Sequence, residues 1–209
     1  PLLDIDTIAV LPFRTAQGDV EVFGYGLADE IRVSLNSIPT LRIVPGMSVQ
    51  AVKGPMENPK TIGRKLNAGS LLIGNVREDG DRLKITAQLI DANTGLQRWA
   101  ESYAQPQRAD IFKLQSDISR AIAEHLAVKF DPKLDDPPTV DEVAYTEFLQ
   151  ARHMLRRRGA EPIQRAITLF NQAIERDPKF GRAYVGLAEA LIIQPTYTGD
   201  AEEPMYERA

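Results

Sequence analysis

The chain has 209 residues, 43% of them hydrophobic, which is enough to bury a core in one large domain or two small ones. Its formal net charge of −4 lacks the basic footprint of a protein whose main partner is a nucleic acid. It contains no cysteine, which excludes disulfides, thiolate chemistry and cysteine-based metal sites, and no run of about 18 apolar residues that would span a membrane. Because the chain begins at Pro1 and not at methionine, we expect it to be a piece of a longer protein.

The first part of the chain predicts strands alternating with helices. Thr7 to Phe13 is an apolar run rich in strand formers, and Leu41 to Val44 is a second one. Between them, apolar residues recur at helical spacing from about Phe23 to Ser37. A second helix is expected to begin at Pro59 and to end with Gly69 as its C-terminal glycine.

Three consecutive strands and a long helix follow. The strands are predicted at Ser70 to Glu78, Arg82 to Asp91 and Leu96 to Ala104, and the middle one alternates apolar and polar residues as an antiparallel strand does. The helix is expected from Asp110 to about Lys129. The order β-α-β-α-β-β-β-α predicts a two-layer α/β (α+β) domain with a mixed sheet, helices on one face, covering residues 1–130.

A second, all-α part is predicted after this domain. Residues 131–138 form a proline-rich acidic stretch, which predicts a stiff linker to a helical segment over residues 139–209. Thr139 and Glu142 predict a capping box at the start of the first helix, which is expected to run to about Arg158.

The most informative stretch of the helical part surrounds Pro178, which separates two predicted helices. Small and large residues alternate on both sides of it: Ala166, Phe170 and Ala173 upstream, and Tyr184, Leu187, Ala188 and Leu191 downstream. This alternation, with a proline between units, is typical of the helical hairpins of tetratricopeptide (TPR) repeats. Such repeats are binding surfaces far more often than catalysts.

The last predicted helix leaves an open end. The third helix of this part is expected over about residues 180–193, a polar loop over Gln194 to Glu203, and a truncated fourth helix from Pro204. An array of about one and a half repeats leaves an apolar face uncovered. We therefore expect this end to pack against a second copy of the chain or against its own tail, residues 194–209.

Motifs along nearly the whole chain resemble one family. They are Ile8–Phe13, Phe23–Ile31, Leu72–Arg77, Ile85–Asp91, Thr94-Gly95 with Trp99, Asp110–Phe112 with Leu114-Gln115, Ala144–Arg158 and Ala166–Leu191. In this order they are similar to the TolB amino-terminal-like domains that precede TPR arrays in bacteria. The resemblance implies that this region lies C-terminal to a signalling domain, often an adenylate/guanylate cyclase or a winged-helix DNA-binding domain. In such proteins the signalling domain is commonly followed by one membrane span.

The same resemblance implies what the region binds and where it lies. It implies a non-catalytic sensor with a protein or peptide partner, no cofactor, no metal, and contact with a membrane only through a span outside this chain. The periplasmic side of a membrane-anchored protein is the favoured location, with the cytoplasm as the alternative. The family offers no agreed catalytic residues to transfer to this sequence.

Two sequence features could indicate catalysis or cofactor binding. Gly24-Tyr25-Gly26 lies between the first predicted strand and helix, but Asp29 stands where a dinucleotide fingerprint needs its third glycine. We therefore interpret it as a strand-to-helix turn. His125 and His153 are the only histidines, and they fall on different predicted domains without a cluster of other metal ligands.

Arginines crowd the end of the first repeat helix. Our candidates for binding an acidic partner are Arg152, Arg156 and Arg157, together with Tyr184. The alternative is a solvated helix end, where the positive charges of the arginines complement the exposed carbonyl groups. Trp99, the only tryptophan, is interpreted with Tyr103 as core beneath a helix instead of an exposed aromatic patch.

The sequence thus favours a non-catalytic regulatory and protein-binding region of a larger bacterial signalling protein. Two alternatives remain open. One is a structural adaptor in envelope assembly, which a stable homodimer through the open helical end would favour. The other is a small-molecule-binding or enzymatic α/β domain, which would need a deep pocket lined by Arg14, Asp29 and Arg77.

Overall fold

The computed structural model describes residues 2–15, 19–50, 58–79, 82–106, 111–126, 128, 139 and 141–198. The chain divides into two compact units, residues 1–136 and 137–209. The first is a mixed α/β unit with a mixed sheet, which confirms that part of the prediction. The second consists of helices in the residues that are described.

The first unit is built on a six-stranded sheet. Its strands are β1 (Thr7–Val10), β2 (Arg14–Thr15), β3 (Arg42–Ile43), β4 (Ser70–Asp79), β5 (Arg82–Asp91) and β6 (Gln97–Pro106). Its helices are α1 (Asp19–Asn36), α2 (Gly46–Gln50), α3 (Pro59–Leu66) and α4 (Ile111–His125). The strand order is β3-β1-β4-β5-β6, with β2 also pairing with β4. β1 is parallel to β3 and β4, whereas β4, β5 and β6 are antiparallel.

Helices cover both faces of the parallel part of this sheet, so the predicted two-layer arrangement is wrong there. Ile8 and Val10 of β1 join the larger core, which includes residues of α1 and α4, while Ala9 joins a smaller core with residues of α2 and α3. Neighbouring strand residues point to opposite faces. The crossover from β1 to β3 therefore lies on one face and the crossover from β3 to β4 on the other, which buries β1 on both sides.

The predicted glycine turn is not a turn. Gly24 lies inside α1, which begins at Asp19, several residues earlier than predicted. A Cβ at Gly24 would lie 2.6 Å from Thr15 Cγ2 and 2.7 Å from the Phe13 carbonyl oxygen. The glycine therefore allows α1 to pack closely on the chain that follows β1.

Helix α3, the second helix predicted from the sequence, begins at the predicted residue but ends differently. The Asn58 side chain accepts a hydrogen bond of 3.0 Å from the Lys60 amide, with Pro59 in the first turn. The helix ends at Asn67, which adopts the left-handed conformation with φ 50°, so Gly69 is not its C-terminal glycine. Gly69 instead lies against the backbone of Asp4, where no side chain would fit.

The second unit contains three helices in its described part: α5 (Glu142–Arg157), α6 (Ala160–Arg176) and α7 (Gly181–Thr198). The cap of α5 is Asp141, which accepts a 2.8 Å hydrogen bond from the Ala144 amide, so the capping box predicted at Thr139 is wrong. Thr139 instead donates a hydrogen bond to Asp177 at the far end of α6.

Helix α7 continues through Pro195 to Thr198, so the polar loop predicted from Gln194 does not begin there. Thr198 donates to the Gln194 carbonyl oxygen at 3.3 Å, and the Gln194 amide group donates to Gln164 of α6 at 3.0 Å. These bonds hold the last turns of α7 in place. The predicted linker, the Asp110 cap and the helix expected from Pro204 lie outside the described residues.

Aromatic rings fill the core of the second unit. The Phe148 ring lies 5.0 Å from the Phe180 ring and 6.0 Å from the Phe170 ring, which places one residue of α5 against α6 and the turn before α7. Phe170 in turn lies against Gly186 of α7, where a Cβ would overlap its ring. The small residue thus brings α6 and α7 into close contact.

Candidate functional site

The clearest candidate surface is the exposed edge where α5 and α7 lie side by side. Arg152 of α5 donates a 3.0 Å hydrogen bond to the Glu189 carboxylate of α7. Arg156, one turn further along, lies on the same side of α5 because residues four apart share a helix face. Its Nε donates to the Arg152 carbonyl oxygen at 3.4 Å. Two of the predicted arginines therefore lie together on this edge.

Two further contacts join the same pair of helices. The Arg182 guanidinium of α7 lies 5.1 Å from the centre of the Phe148 ring, and Arg158 donates to the Tyr197 hydroxyl at 3.3 Å. The first is a cation–π contact, which contributes about 0.5–1 kcal/mol, and the second is a hydrogen bond between a cation and a neutral hydroxyl. Together they set the position of α7 relative to α5, and so the shape of the surface that a partner would meet.

The structure does not bring the other two candidates to this edge. Arg157 is exposed and follows Arg156 by one residue, which places it about 100° further around α5. Tyr184 is exposed on α7 but lies about 140° around the helix from Glu189, the partner of Arg152. The four predicted residues therefore belong to different parts of the second unit.

The outside of α7 carries an apolar surface, as the sequence predicted for the open helical end, but it consists partly of residues predicted to lie between the helices. Tyr184, Val185, Leu191 and Ile192 are 46%, 69%, 48% and 77% exposed, and Ala188 lies exposed among them. We call these five residues the α7 stripe. The sequence signal was visible, since α7 is apolar around most of its circumference, but Tyr184 and Leu191 were assigned to the packing between the helices. The structure gives that role to the buried Ala183, Gly186 and Ala190.

The polar pocket considered for the first unit does not assemble. Asp29 of α1 forms an ion pair with Arg32, on the side of the sheet that α1 covers. Val76 of β4 belongs to the core beneath α1, so its neighbour Arg77 points to the opposite face of the sheet, and Arg14 is exposed. Asp29 is therefore separated from Arg77 by the sheet.

The remaining candidates have structural positions. Trp99 and Tyr103 pack against the larger core, which confirms their interpretation; burial and the neighbouring Glu101 carboxylate raise the pKa of the Tyr103 phenol. His125 is exposed at the end of α4, and His153 is buried in α5, in the other unit. Within the described ranges, no three acidic or histidine side chains are grouped to hold a metal ion, and no helix has the length and hydropathy to cross a membrane.

No protein-family model matches the chain. Over 188 residues, or 87% of its length, the chain is 30% identical to a Rhizobium meliloti (strain 1021) protein named "Putative adenylate cyclase 3". The match covers 32% of that protein, so the chain spans about a third of the length of this relative.

Several solved structures resemble the chain at low sequence identity. TolB from Acinetobacter baumannii has a TM-score of 0.45 and 17% identity, covering 60% of this chain and 29% of TolB. Lipoprotein GNA1162 from Neisseria meningitidis has a TM-score of 0.42 and 17% identity, covering 58% of this chain and 96% of the lipoprotein. The LpoB C-terminal domain from Salmonella enterica has a TM-score of 0.36 and 15% identity, covering 51% of this chain and 86% of that domain. The structural neighbours thus include TolB and lipoprotein folds.

Proposed function

We propose that this chain is a non-catalytic regulatory and protein-binding region of a larger bacterial signalling protein whose output domain is an adenylate or guanylate cyclase. The observation that carries the proposal is the 30% identity to the Rhizobium meliloti relative, which extends over 87% of the chain and only 32% of the relative. The rest of a protein of that length has room for an output domain.

In this proposal the first unit is a TolB amino-terminal-like domain. The motifs quoted above support it, and so does a sheet in which β4, β5 and β6 form a meander beside the parallel strands. The ion pair that Asp29 makes with Arg32, on the opposite side of the sheet from Arg77, supports a role other than catalysis.

The second unit is proposed to be the start of a TPR array. α5 and α6 form a helical hairpin, and α7 packs on α6 as the first helix of the next unit would. Ala166 and Ala173 are fully buried on α6, and Gly186 of α7 lies against the Phe170 ring of α6. Small residues at these helix contacts are what such hairpins require.

The partner that fits the α5–α7 edge is a protein segment with acidic residues. Arg152 and Arg156 present two guanidinium groups on one side of α5, and arginine binds carboxylates in two-pronged geometry. Because Arg152 already pairs with Glu189, an incoming carboxylate would exchange with an internal one. Such exchange favours specificity over affinity.

The test compares the chain with its Arg152→Gln/Arg156→Gln variant and with Arg165→Gln, an exposed arginine of α6 that serves as the charge control. Immobilised chain is used to capture proteins from the source bacterium, and cyclase output of the whole protein is measured with each variant. We expect the double variant, but not the control, to lose a captured protein and to change the output. Equal capture and equal output for all three proteins would refute the proposal.

A further inference from the structure

One face of the antiparallel part of the sheet carries exposed positive charges. Val76 of β4 and Ile85 of β5 belong to the larger core, so their neighbours Arg77 and Lys84 point to the opposite face of the sheet. Both side chains are exposed. In the strand register Arg77 lies directly opposite Lys84, which places two like charges side by side. Such a pair destabilises a sheet that has no partner on that face.

A third cation joins the same face from β2. Arg14 is exposed and pairs with Asn75 of β4 in parallel register. The side chain of the next residue, Thr15, lies toward Gly24 of α1 on the core side, so Arg14 points to the outer face. Neighbouring strands are about 4.8 Å apart and alternate residues along a strand about 6.8 Å apart, so the three Cα atoms lie within about 12 Å of one another. We call Arg14, Arg77 and Lys84 the cation cluster.

The cation cluster lacks a counter-charge within the part of the chain that the structure describes. None of its three side chains forms a hydrogen bond or an ion pair there. Exposed arginines elsewhere do form such pairs, since Arg42 and Arg176 each bind a carboxylate. The next pair in the register, Asp79 and Arg82, carries one charge of each sign and leaves the balance unchanged. A partner that covers this face must therefore supply negative charge.

The shape of the face favours a protein segment over a flat anionic surface. Beside the cluster, β6 contributes Ala100, Ser102 and Ala104, which are exposed and short. The Thr86 hydroxyl of β5 lies 3.3 Å from the Ser102 hydroxyl, so this part of β6 belongs to the same face. A segment lying on this lower strip brings its carboxylates level with the long cationic side chains, whereas a bilayer would touch only their tips. β6 is also the last strand in the sheet order, so its outer edge offers backbone N–H and C=O groups to the same segment.

We propose that this face binds an acidic segment of a partner protein, which lies along β6 and pairs its carboxylates with the cation cluster. An arginine binds a carboxylate through two parallel hydrogen bonds, and a lysine adds a compact positive charge. A carboxylate placed between Arg77 and Lys84 also removes the repulsion between them. The site lies in the first unit and uses neither Arg152 nor Arg156, so it is additional to the α5–α7 edge.

The test uses a short polyglutamate peptide as the probe and follows the backbone amides of β4, β5 and β6 by NMR in the full chain. We expect the peptide to shift these amides, with an affinity that falls as salt is added. Arg77→Gln/Lys84→Gln should weaken this binding by about fivefold or more. The matched control, Arg64→Gln/Lys65→Gln, removes the same charge from exposed positions in the last turn of α3 and should change the affinity by no more than about twofold. Amide spectra without peptide check that both variants remain folded.

Three results would overturn the inference. One is equal weakening in the double variant and in its control. Another is that a neutral glycine–serine peptide or inorganic phosphate shifts the same amides as strongly as polyglutamate, because binding then needs no acidic segment. The third is binding of phosphatidylglycerol vesicles through the cation cluster without binding of polyglutamate, which assigns the face to a membrane. Arg152 and Arg156 stay intact throughout, so failure at the α5–α7 edge is distinguishable from failure at this face.

Discussion

Replacing Gly186 by alanine is expected to weaken the packing of α7 on α6. A Cβ at this position would lie 2.5 Å from Cζ and 3.1 Å from Cδ1 of Phe170, whereas carbon atoms in favourable contact are about 3.5–4.0 Å apart. Phe170 is fully buried, and its ring lies 6.0 Å from that of Phe148. The ring therefore has to displace neighbours to make room for one methyl group.

Two opposing effects determine the magnitude. Extra volume in a well-packed core costs about 1–3 kcal/mol. Alanine in place of glycine in a helix interior gains about 1 kcal/mol, since it restricts the unfolded chain. The overlap is the larger effect because the ring has no open space to enter, so we expect a net loss of about 1 kcal/mol for Gly186→Ala.

Hydrogen exchange of α6 and α7 amides in the full chain measures this loss without interference from the first unit. The control is Gly181→Ala, because a Cβ at Gly181 would have no other atom within 4 Å; its effect should stay within about 0.5 kcal/mol. Adding Phe170→Leu to Gly186→Ala should cost less than the two single changes together. If Gly186→Ala instead raises protection by about 1 kcal/mol, helix propensity alone governs the position and the packing argument fails.

Two further predictions concern single side chains at helix ends. Hydrogen bonds from Thr139 and from the Lys179 amide hold the pKa of the Asp177 carboxyl below its ordinary value of 3.8. The ionised carboxyl therefore stabilises the second unit above about pH 4, and this stabilisation is lost as the pH falls further. Asp177→Asn should flatten the acid dependence of thermal unfolding in the second unit, and an unchanged acid dependence would contradict this prediction. Asn67 holds a left-handed conformation with φ 50°. Asn67→Ala should therefore lower the free energy of denaturant unfolding by about 1 kcal/mol, whereas Asn67→Gly should change it by no more than about 0.5 kcal/mol. Equal losses in the two variants would argue against backbone strain at this position.

Features that depend on neighbouring residues in the sequence were predictable. The alternation of Arg82 to Asp91 predicted β5 at the residues where the structure has it, and Pro59 predicted the start of α3. The break after α5 follows from Gly159, whose φ of 114° suits glycine. These signals are local because a strand face, a helix cap and a left-handed turn each depend on only a few consecutive residues.

The candidate surface was predictable only in part. Arg152 and Arg156 lie together because residues four apart share a helix face, which the sequence spacing already implies. Their pairing with α7 through Glu189 depends on how two helices cross, and no local pattern contains that angle. The sequence predicted an uncovered apolar face at this end but placed Tyr184 and Leu191 between the helices, since apolar residues at helical spacing do not show which of two sides meets α6.

The sequence by itself determined most of the helices and strands, because hydrophobic periodicity, prolines and glycines act over a few residues. Only the tertiary structure decided that helices cover both faces of the parallel strands, that Gly24 serves close packing instead of a turn, and that Asp141 caps α5 while Thr139 bonds to Asp177. Each of these depends on groups that are far apart in the chain and close in space. Contacts of that kind follow from the crossing of strands and helices, and the order of residues alone does not encode them in any short segment.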